Sequence, residues 1–299
     1  MRRWLGVIGV GVMLVAGACG SSGDDDGATA TTATEAPAQV LLASASKTAE
    51  AKSSKATSTI TIQGAQGLPG GEFTSTGEGA YDFTTREGAF TLTLPPIGGV
   101  EIGRVDAVLT GPVLYQKFPP QLAQALGGKP WVKIDLNDLG QASGVDFSSL
   151  IQYLGDPTQA LQLLRGAGAE TTEVGQERLR GESVTHYRAT FDVGKAAAAA
   201  PPDQQKALQQ LSHLFGGRPL RAEVWIDEEQ RLRKLSYSLD LARLNLPAQA
   251  PPAARPTGTL ALVTEFFDFG TPVSVTVPPA DQVTDLGGLI GQRRSSGHP

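Results

Sequence analysis

Histidine and cysteine are the residue types from which a metal centre or a nucleophilic site is most often built. This 299-residue chain has three histidines and one cysteine. His186, His213 and His298 are far apart, and none belongs to a His-x-x-x-His or His-Glu-x-x-His arrangement, which would place two ligands side by side. No Gly-x-Ser-x-Gly segment offers an exposed serine nucleophile. The sequence therefore predicts no catalytic residues, no metal site, no cofactor and no enzymatic activity.

The one cysteine, Cys19, has a setting that suggests a different chemistry. It follows a basic start, Met1 to Arg3, and an apolar stretch, Trp4 to Ala18, that ends in small residues. This pattern is typical of a secretion signal and is too short for a transmembrane helix. The residues before the cysteine resemble a bacterial lipobox, although Ala16 stands where a leucine is usual. We therefore predict that Cys19 is acylated and becomes the new N-terminus.

Acylation of Cys19 would hold the protein at the extracytoplasmic face of the cell membrane. Two or three acyl chains, at about 0.8 kcal/mol per buried methylene, are ample for stable anchoring. The alternative is an ordinary signal peptide in which the cysteine is incidental.

Composition divides the chain into a leader, a tether, one domain and a tail. The chain has 40% hydrophobic residues, 36 glycines, 20 prolines and a net charge of −5, with no dense basic patch. This balance suits many short strands and gives no basis for nucleic-acid binding. We predict a signal peptide at 1–18, the lipidated cysteine and a disordered tether at 19–37, a monomeric domain at 38–286 and a disordered tail at 287–299.

The segment Val174 to Val193 predicts a β-hairpin with its turn at residues 180–182. Tyr187 and Phe191 alternate with polar residues such as His186 and Arg188, which is the period of a half-buried strand. We expect this hairpin near the middle of a large antiparallel sheet.

The same alternation recurs along much of the chain. Further strands are expected at 57–62, 73–84, 89–94, 103–110, 113–118, 131–136, 222–227, 234–241, 259–269 and 273–277. Helices are expected within 38–55, around 147–154, at 156–166 and at 203–215, with the alanine run 196–200 as a low-complexity lead-in and 245–258 as a surface loop. The fold class is therefore α+β: a strongly curved antiparallel sheet, or half-barrel, with helices covering its concave side.

A curved sheet closed by helices would enclose an apolar space. Such a space is costly when empty, at about 24 cal/mol per Å³, so it is filled by an apolar ligand or by side chains, and the sequence leaves both possibilities open. Strand faces give these candidate lining residues: Tyr187, Phe191, Val224, Ile226, Tyr237, Leu239 and Phe266.

Several short motifs occur together in a recognisable order. They are WVKID at 131–135, Asp156-Pro157 leading to LLRGA at 163–167, VGQE at 174–177 with Arg180-Gly181 and THY at 185–187, VWID at 224–227, and FGTPV at 269–273. With the lipobox and tether, this order resembles the LppX/LprAFG-type lipoproteins of actinobacteria over about Val40 to Asp285. The resemblance implies a LolA/LolB-like half-barrel and brings no catalytic residues.

The resemblance also implies a function. It points to a membrane-anchored carrier or chaperone that binds an acylated lipid or glycolipid in an apolar cavity. The alternative is an envelope scaffold or sensor module that binds a protein partner and has a filled core.

Overall fold

The computed structural model describes residues 36–65, 71–96, 101–125, 127–138, 156, 170–246 and 257–286. Residues 35–299 form one compact unit. The predicted signal peptide, Cys19, most of the tether, the tail, and the helices expected around 147–154 and at 157–166 lie outside the described residues.

Twelve strands account for most of the described chain. They are β1 (Ser53–Gln63), β2 (Glu72–Asp82), β3 (Glu87–Leu94), β4 (Gly103–Thr110), β5 (Val113–Lys117), β6 (Trp131–Asp135), β7 (Glu170–Leu179), β8 (Glu182–Phe191), β9 (Leu220–Asp227), β10 (Leu232–Asp240), β11 (Thr259–Phe267) and β12 (Val283–Asp285).

All twelve strands join one open sheet, in the order β12-β6-β5-β4-β3-β2-β1-β11-β10-β9-β8-β7. Neighbours are antiparallel except β12 and β6, which run parallel, with Val283 opposite Trp131. The sheet is therefore mixed, which corrects the expectation of a purely antiparallel one. The expected strand at 273–277 is also wrong, because residues 271–279 are irregular. Pro272, Pro278 and Pro279 cannot donate to a strand ladder.

The predicted hairpin is confirmed as β7 and β8, but its expected position is wrong. Arg180 and Gly181 have φ angles of 50° and 87°, as a two-residue type I′ turn requires. The hairpin of β7 and β8 lies at one end of the sheet, where β7 is the edge strand. The hairpin forms from local turn geometry, whereas its place in the sheet depends on pairing with β9, which begins 29 residues after the end of β8.

Four α-helices have described bounds: α1 (Pro37–Glu50), α2 (Pro120–Ala125), α3 (Val193–Ala199) and α4 (Pro202–Leu214). Two short 3-10 helices lie at Leu241–Arg243 and Ala280–Gln282. The helix α3 contains most of the alanine run that was expected to be only a lead-in. The Asp192 side chain accepts a hydrogen bond from the Lys195 amide at 3.0 Å, so this cap lets a short alanine-rich segment begin a helix. No helix in the described part of the chain is long and apolar enough to cross a membrane.

The main core lies between three of these helices and β8 to β11. We call this side of the sheet the inner face, and Tyr187, Val224, Tyr237 and Phe266 mark it. Residues from α1, α3 and α4 pack on this face, including Leu41, Val193, Ala196, Leu208 and Leu211. The predicted α+β class, an open sheet with helices on one face, is confirmed.

Candidate functional site

A cavity of about 500 Å³ lies on the inner face beside this core. Its walls come from β1, β2, β3, β4 and β11, the turns at 86 and 111–112, and the segment after β6. The lining residues are Ala56, Ser58, Ile60, Tyr81, Arg86, Phe90, Leu92, Leu109, Gly111, Pro112, Leu136, Asn137, Asp156, Leu262, Thr264 and Phe266. Most of these side chains are apolar, so the cavity favours an apolar occupant.

Glycines on β2 and β3 leave room on the inner face. Gly79 and Gly88 stand beneath the ring of Phe90: a Cβ placed on either would lie 2.6 Å from that ring. A Cβ on Gly77 would lie 3.0 Å from the Leu92 side chain. Because these three positions carry no side chain, Phe90 and Leu92 lie down against the strands, and space remains above them.

Two hydroxyl groups interrupt the apolar wall without leaving a polar group unsatisfied. Ser58 on β1 and Thr264 on β11 are opposite each other in the ladder. Their hydroxyl oxygens are 3.1 Å apart, so one donates to the other. A mutual hydrogen bond lowers the cost of placing both groups beside an apolar ligand.

Four polar side chains also belong to the cavity lining. They are Tyr81, Arg86, Asn137 and Asp156, and Asp156 is only 2% exposed. Burial raises the pKa of the Tyr81 hydroxyl above its ordinary value; the Asp156 carboxylate raises it further, while Arg86 opposes the shift. The net environment at this hydroxyl therefore disfavours a negative charge.

The seven candidate lining residues fall into two groups. Phe266 lines the cavity. The residues Tyr187, Phe191, Val224, Ile226 and Tyr237 belong to the packed core beneath the helices, and Leu239 packs against it. These six are not among the residues that line the cavity.

Sequence reasoning missed the cavity wall on β1 to β4. A signal for it exists in the period-two spacing of Ser58 and Ile60 and of Phe90 and Leu92, which puts both members of each pair on one strand face. The glycines at 77, 79 and 88 are the more specific sign, since glycine at an inward strand position leaves space beside the sheet. Only the strand register shows that all of these positions face the same side.

The outer face carries a separate polar cluster on β7, β8 and β9. The His186 ring stacks on Trp225 with 4.3 Å between centroids. Its nitrogens lie 2.9 Å from a Glu177 oxygen and 2.5 Å from a Glu223 oxygen. Trp225 Nε1 donates to Glu177 at 2.9 Å, and this bond is the main reason that the pKa of Glu177 is lowered.

This outer cluster ties the edge strand β7 to its neighbours through side chains. Within the described ranges, no three histidine, cysteine, aspartate or glutamate residues are grouped to hold a metal ion.

A second depression of about 630 Å³ lies beside β1, β2, β3, β4 and β11. Its lining includes Lys55, Glu78, Ala80, Asp106 and Phe267.

The chain is thus an α+β protein with an open sheet. Helices cover one half of the inner face, and an apolar cavity lies on the other half. No protein-family model matches the sequence. A protein of Streptomyces griseus, named as an uncharacterised 31.2-kDa protein, is 27% identical over 220 residues. A predicted lipoprotein of Streptomyces coelicolor is 26% identical over 184 residues.

These matches cover 72% and 60% of this chain, and 66% and 51% of the two relatives. The aligned region thus spans about two thirds and about half of their lengths.

Among solved structures, the chain is similar to the lipoprotein LppX of Mycobacterium tuberculosis, with 15% identity, a TM-score of 0.43 and coverage of 80% of this chain and 99% of that one. LprF of Mycobacterium bovis gives 14% identity and a TM-score of 0.43 over 82% and 97% of the two chains. A LolA superfamily protein of Nitrosomonas europaea gives 12% identity and a TM-score of 0.26 over 82% and 96%. These solved structures are of the LppX and LolA types that the order of the sequence motifs resembles.

Proposed function

We propose that this protein is a lipid-anchored lipoprotein of the extracytoplasmic membrane face that binds an acylated lipid or glycolipid in its inner-face cavity and acts as a carrier or chaperone. The observation that carries the proposal is the cavity of about 500 Å³, with its largely apolar wall. Burial of an acyl chain against that wall removes hydrocarbon from water and drives binding.

The packing beside the cavity explains why side chains do not fill it. The helices α1, α3 and α4 seal the inner face over β8 to β11, and the glycines of β2 and β3 hold the adjoining surface low. An apolar space of this size costs about 24 cal/mol per Å³ when empty. A bound hydrocarbon chain would recover much of that free energy.

Acylation at Cys19 would complete the arrangement. The segment between Cys19 and the start of α1 at Pro37 is polar and rich in small residues, which is the composition of a flexible linker. A domain tethered in this way stays close to the membrane, where its ligand is concentrated. The test of this anchor is mass spectrometry of the mature N-terminus, with Cys19→Ser as the unacylated control.

The proposed binding is tested on residues 35–299, the compact unit that contains every described core residue. The purified protein is extracted with organic solvent, the extract is analysed by mass spectrometry, and the stripped protein is titrated with a fluorescent acyl probe. Ile60→Trp places an indole in the cavity and should weaken probe uptake about tenfold or more.

Thr59→Trp is the matched control, because residue 59 is the neighbour of Ile60 and faces the other side of β1. It should leave probe uptake unchanged. An extract without lipid, together with no probe uptake by the stripped protein, would rule out the carrier function.

A further inference from the structure

The strand register gives the cavity a direction and a width, and both restrict its ligand. We infer that the cavity is a groove along β1 for an unbranched acyl chain, and that Phe90, whose ring lies on Gly88, is the residue that excludes branched chains. This inference rests on the proposed lipid-binding function and narrows its ligand class.

The groove runs parallel to the strands. Its lining residues fall into rows that the ladder pairs across the sheet: Ile60 with Leu262, Ser58 with Thr264, Ala56 with Phe266, and then the row of Tyr81 and Leu109, which pair through Gly88. Successive rows are two residues apart, so the first and last lie about 20 Å from each other along the strands. An extended hydrocarbon chain has this shape.

The floor of the groove is about one strand wide. Ala56 and Ser58 of β1 line the cavity, but their ladder partners on β2, Gly79 and Gly77, do not. The Phe90 and Leu92 side chains lie over those two glycines and form one wall. Neighbouring strands are about 4.8 Å apart, which leaves room for one chain of carbon atoms in van der Waals contact.

Phe266 and Leu262 form the opposite wall from β11. A straight chain on the β1 floor touches both walls along its length. A methyl branch adds bulk at the side of the chain, where it meets Phe90 or Phe266 and forces the wall to move.

The Phe90 wall stays low because of two glycines. A Cβ on Gly88 would lie 2.6 Å from the Cε2 and Cζ atoms of the Phe90 ring, and a Cβ on Gly79 would lie 2.6 Å from its Cδ1 atom. The ring therefore rests on the backbone at both positions. A methyl group at residue 88 would lift the ring into the groove, halfway along its length.

The test compares fatty acids that share one carboxylate, so that only the hydrocarbon differs. Octanoate, laurate, palmitate and phytanate, which is palmitate with methyl branches, displace the fluorescent acyl probe from stripped protein of residues 35–299. All are used below the concentrations at which they form micelles. Affinity should rise at least tenfold from octanoate to laurate and again to palmitate, because each buried methylene contributes up to about fourfold.

Phytanate is the decisive lipid. It carries more hydrocarbon than palmitate, so a wide cavity would bind it more tightly. The narrow groove should bind it at least tenfold more weakly. Phe90→Leu removes the ring and should strengthen phytanate binding about tenfold, while palmitate changes by less than about threefold.

Gly88→Ala tests the position of the ring. It should weaken palmitate at least tenfold and leave octanoate within about twofold, because a short chain fits on either side of the raised ring. Adding Phe90→Leu to Gly88→Ala should restore palmitate binding. Ala89→Ser is the matched control: it also adds one atom, but residue 89 faces the other side of β3, in the outer depression, and no affinity should change.

The outcomes are distinguishable. Phytanate binding as tightly as palmitate would overturn the unbranched-chain groove, and no gain from octanoate to laurate would overturn its length. Unchanged phytanate binding in Phe90→Leu would overturn the role of Phe90, and this comparison stands even if Gly88→Ala does not fold. These results leave lipid binding intact, whereas failure of all four fatty acids and of the probe would overturn the proposed function as well.

Discussion

At the residue scale, Tyr237 shows how the filled half of the inner face differs from the cavity. It is 3% exposed, and its hydroxyl has no hydrogen-bond partner among the described residues. A buried hydroxyl without a partner costs about 1–3 kcal/mol. The burial also raises the pKa of Tyr237 above its ordinary value.

We predict that Tyr237→Phe increases the free energy of unfolding by about 1 kcal/mol, because it removes the buried hydroxyl and keeps the ring. The raised pKa adds a dependence on pH. The hydroxyl stays neutral in the folded protein but ionises in the unfolded protein above its pKa of about 10. Above that pH the wild type therefore loses stability that Tyr237→Phe keeps, and the advantage of the variant should be larger at pH 10.5 than at pH 8. Urea denaturation at pH 8 and pH 10.5 measures both effects.

Tyr115→Phe is the control, since Tyr115 is half-buried on the outward side of β5. It should change the free energy of unfolding by less than about 0.5 kcal/mol. A clear loss of stability in Tyr237→Phe at pH 8 would mean that its hydroxyl has a partner that the described residues do not contain.

At the element scale, the pair β2 and β3 controls the depth of the cavity. The glycines at 77 and 79 both face inward, but their surroundings differ. A Cβ on Gly79 would collide with the backbone oxygen of Ala89 and lie 2.6 Å from the Phe90 ring. A Cβ on Gly77 meets only the flexible end of Leu92, at 3.0 Å, and has no backbone atom closer than 4.0 Å.

Gly79→Ala should therefore lower the free energy of unfolding by about 3 kcal/mol, because a backbone oxygen and an aromatic ring must both move. Gly77→Ala is the matched substitution two residues away on the same strand and should cost less than about 1 kcal/mol. Chemical denaturation of the two variants gives the comparison. Equal losses would show that the rigid contact at Gly79 does not decide the cost.

Element prediction succeeded where the information is local. The period-2 alternation located β4 at Gly103–Thr110 with the same bounds as the structure, and the turn residues located the hairpin. It failed at residues 273–277, where apolar alternation is present but the flanking prolines prevent pairing. It also failed at β12 (Val283–Asp285), because a three-residue strand carries almost no periodic signal.

At the scale of the whole molecule, the inner face has two halves with different contents. Over β8 to β11 it is filled by α1, α3 and α4, and beside β1 to β4 it contains the cavity. The two halves share Ala56 and Phe266. A ligand in the cavity would therefore contact the core directly and contribute to its stability.

Lipid binding is expected to stabilise the folded protein by mass action. At a free lipid concentration of 100 times Kd, the free energy of unfolding should rise by about 2.7 kcal/mol. Thermal unfolding of stripped protein of residues 35–299, with and without an acylated lipid such as palmitate, measures this rise. Ile60→Trp is the control, and its Tm should shift much less with the same lipid. Equal shifts in the two proteins would place the lipid somewhere other than the cavity.

The sequence by itself determined where most strands lie and which side of each is apolar, because alternation with a period of two is a local property of the chain. It placed Tyr187, Phe191 and Val224 correctly on one common face. It did not determine strand order, so the hairpin expected at the centre of the sheet lies at its edge. Order depends on pairing between segments distant in sequence, such as β1 with β11.

The tertiary structure alone decided which part of the apolar face is filled and which part is open. All seven residues chosen by strand face belong to the helix-covered core or pack against it, and of these seven Phe266 also lines the cavity. An inward apolar residue looks the same in sequence whether a helix or a ligand covers it, since both offer hydrocarbon contact. Where the helices dock is fixed by the whole fold, and the position of the cavity follows from it.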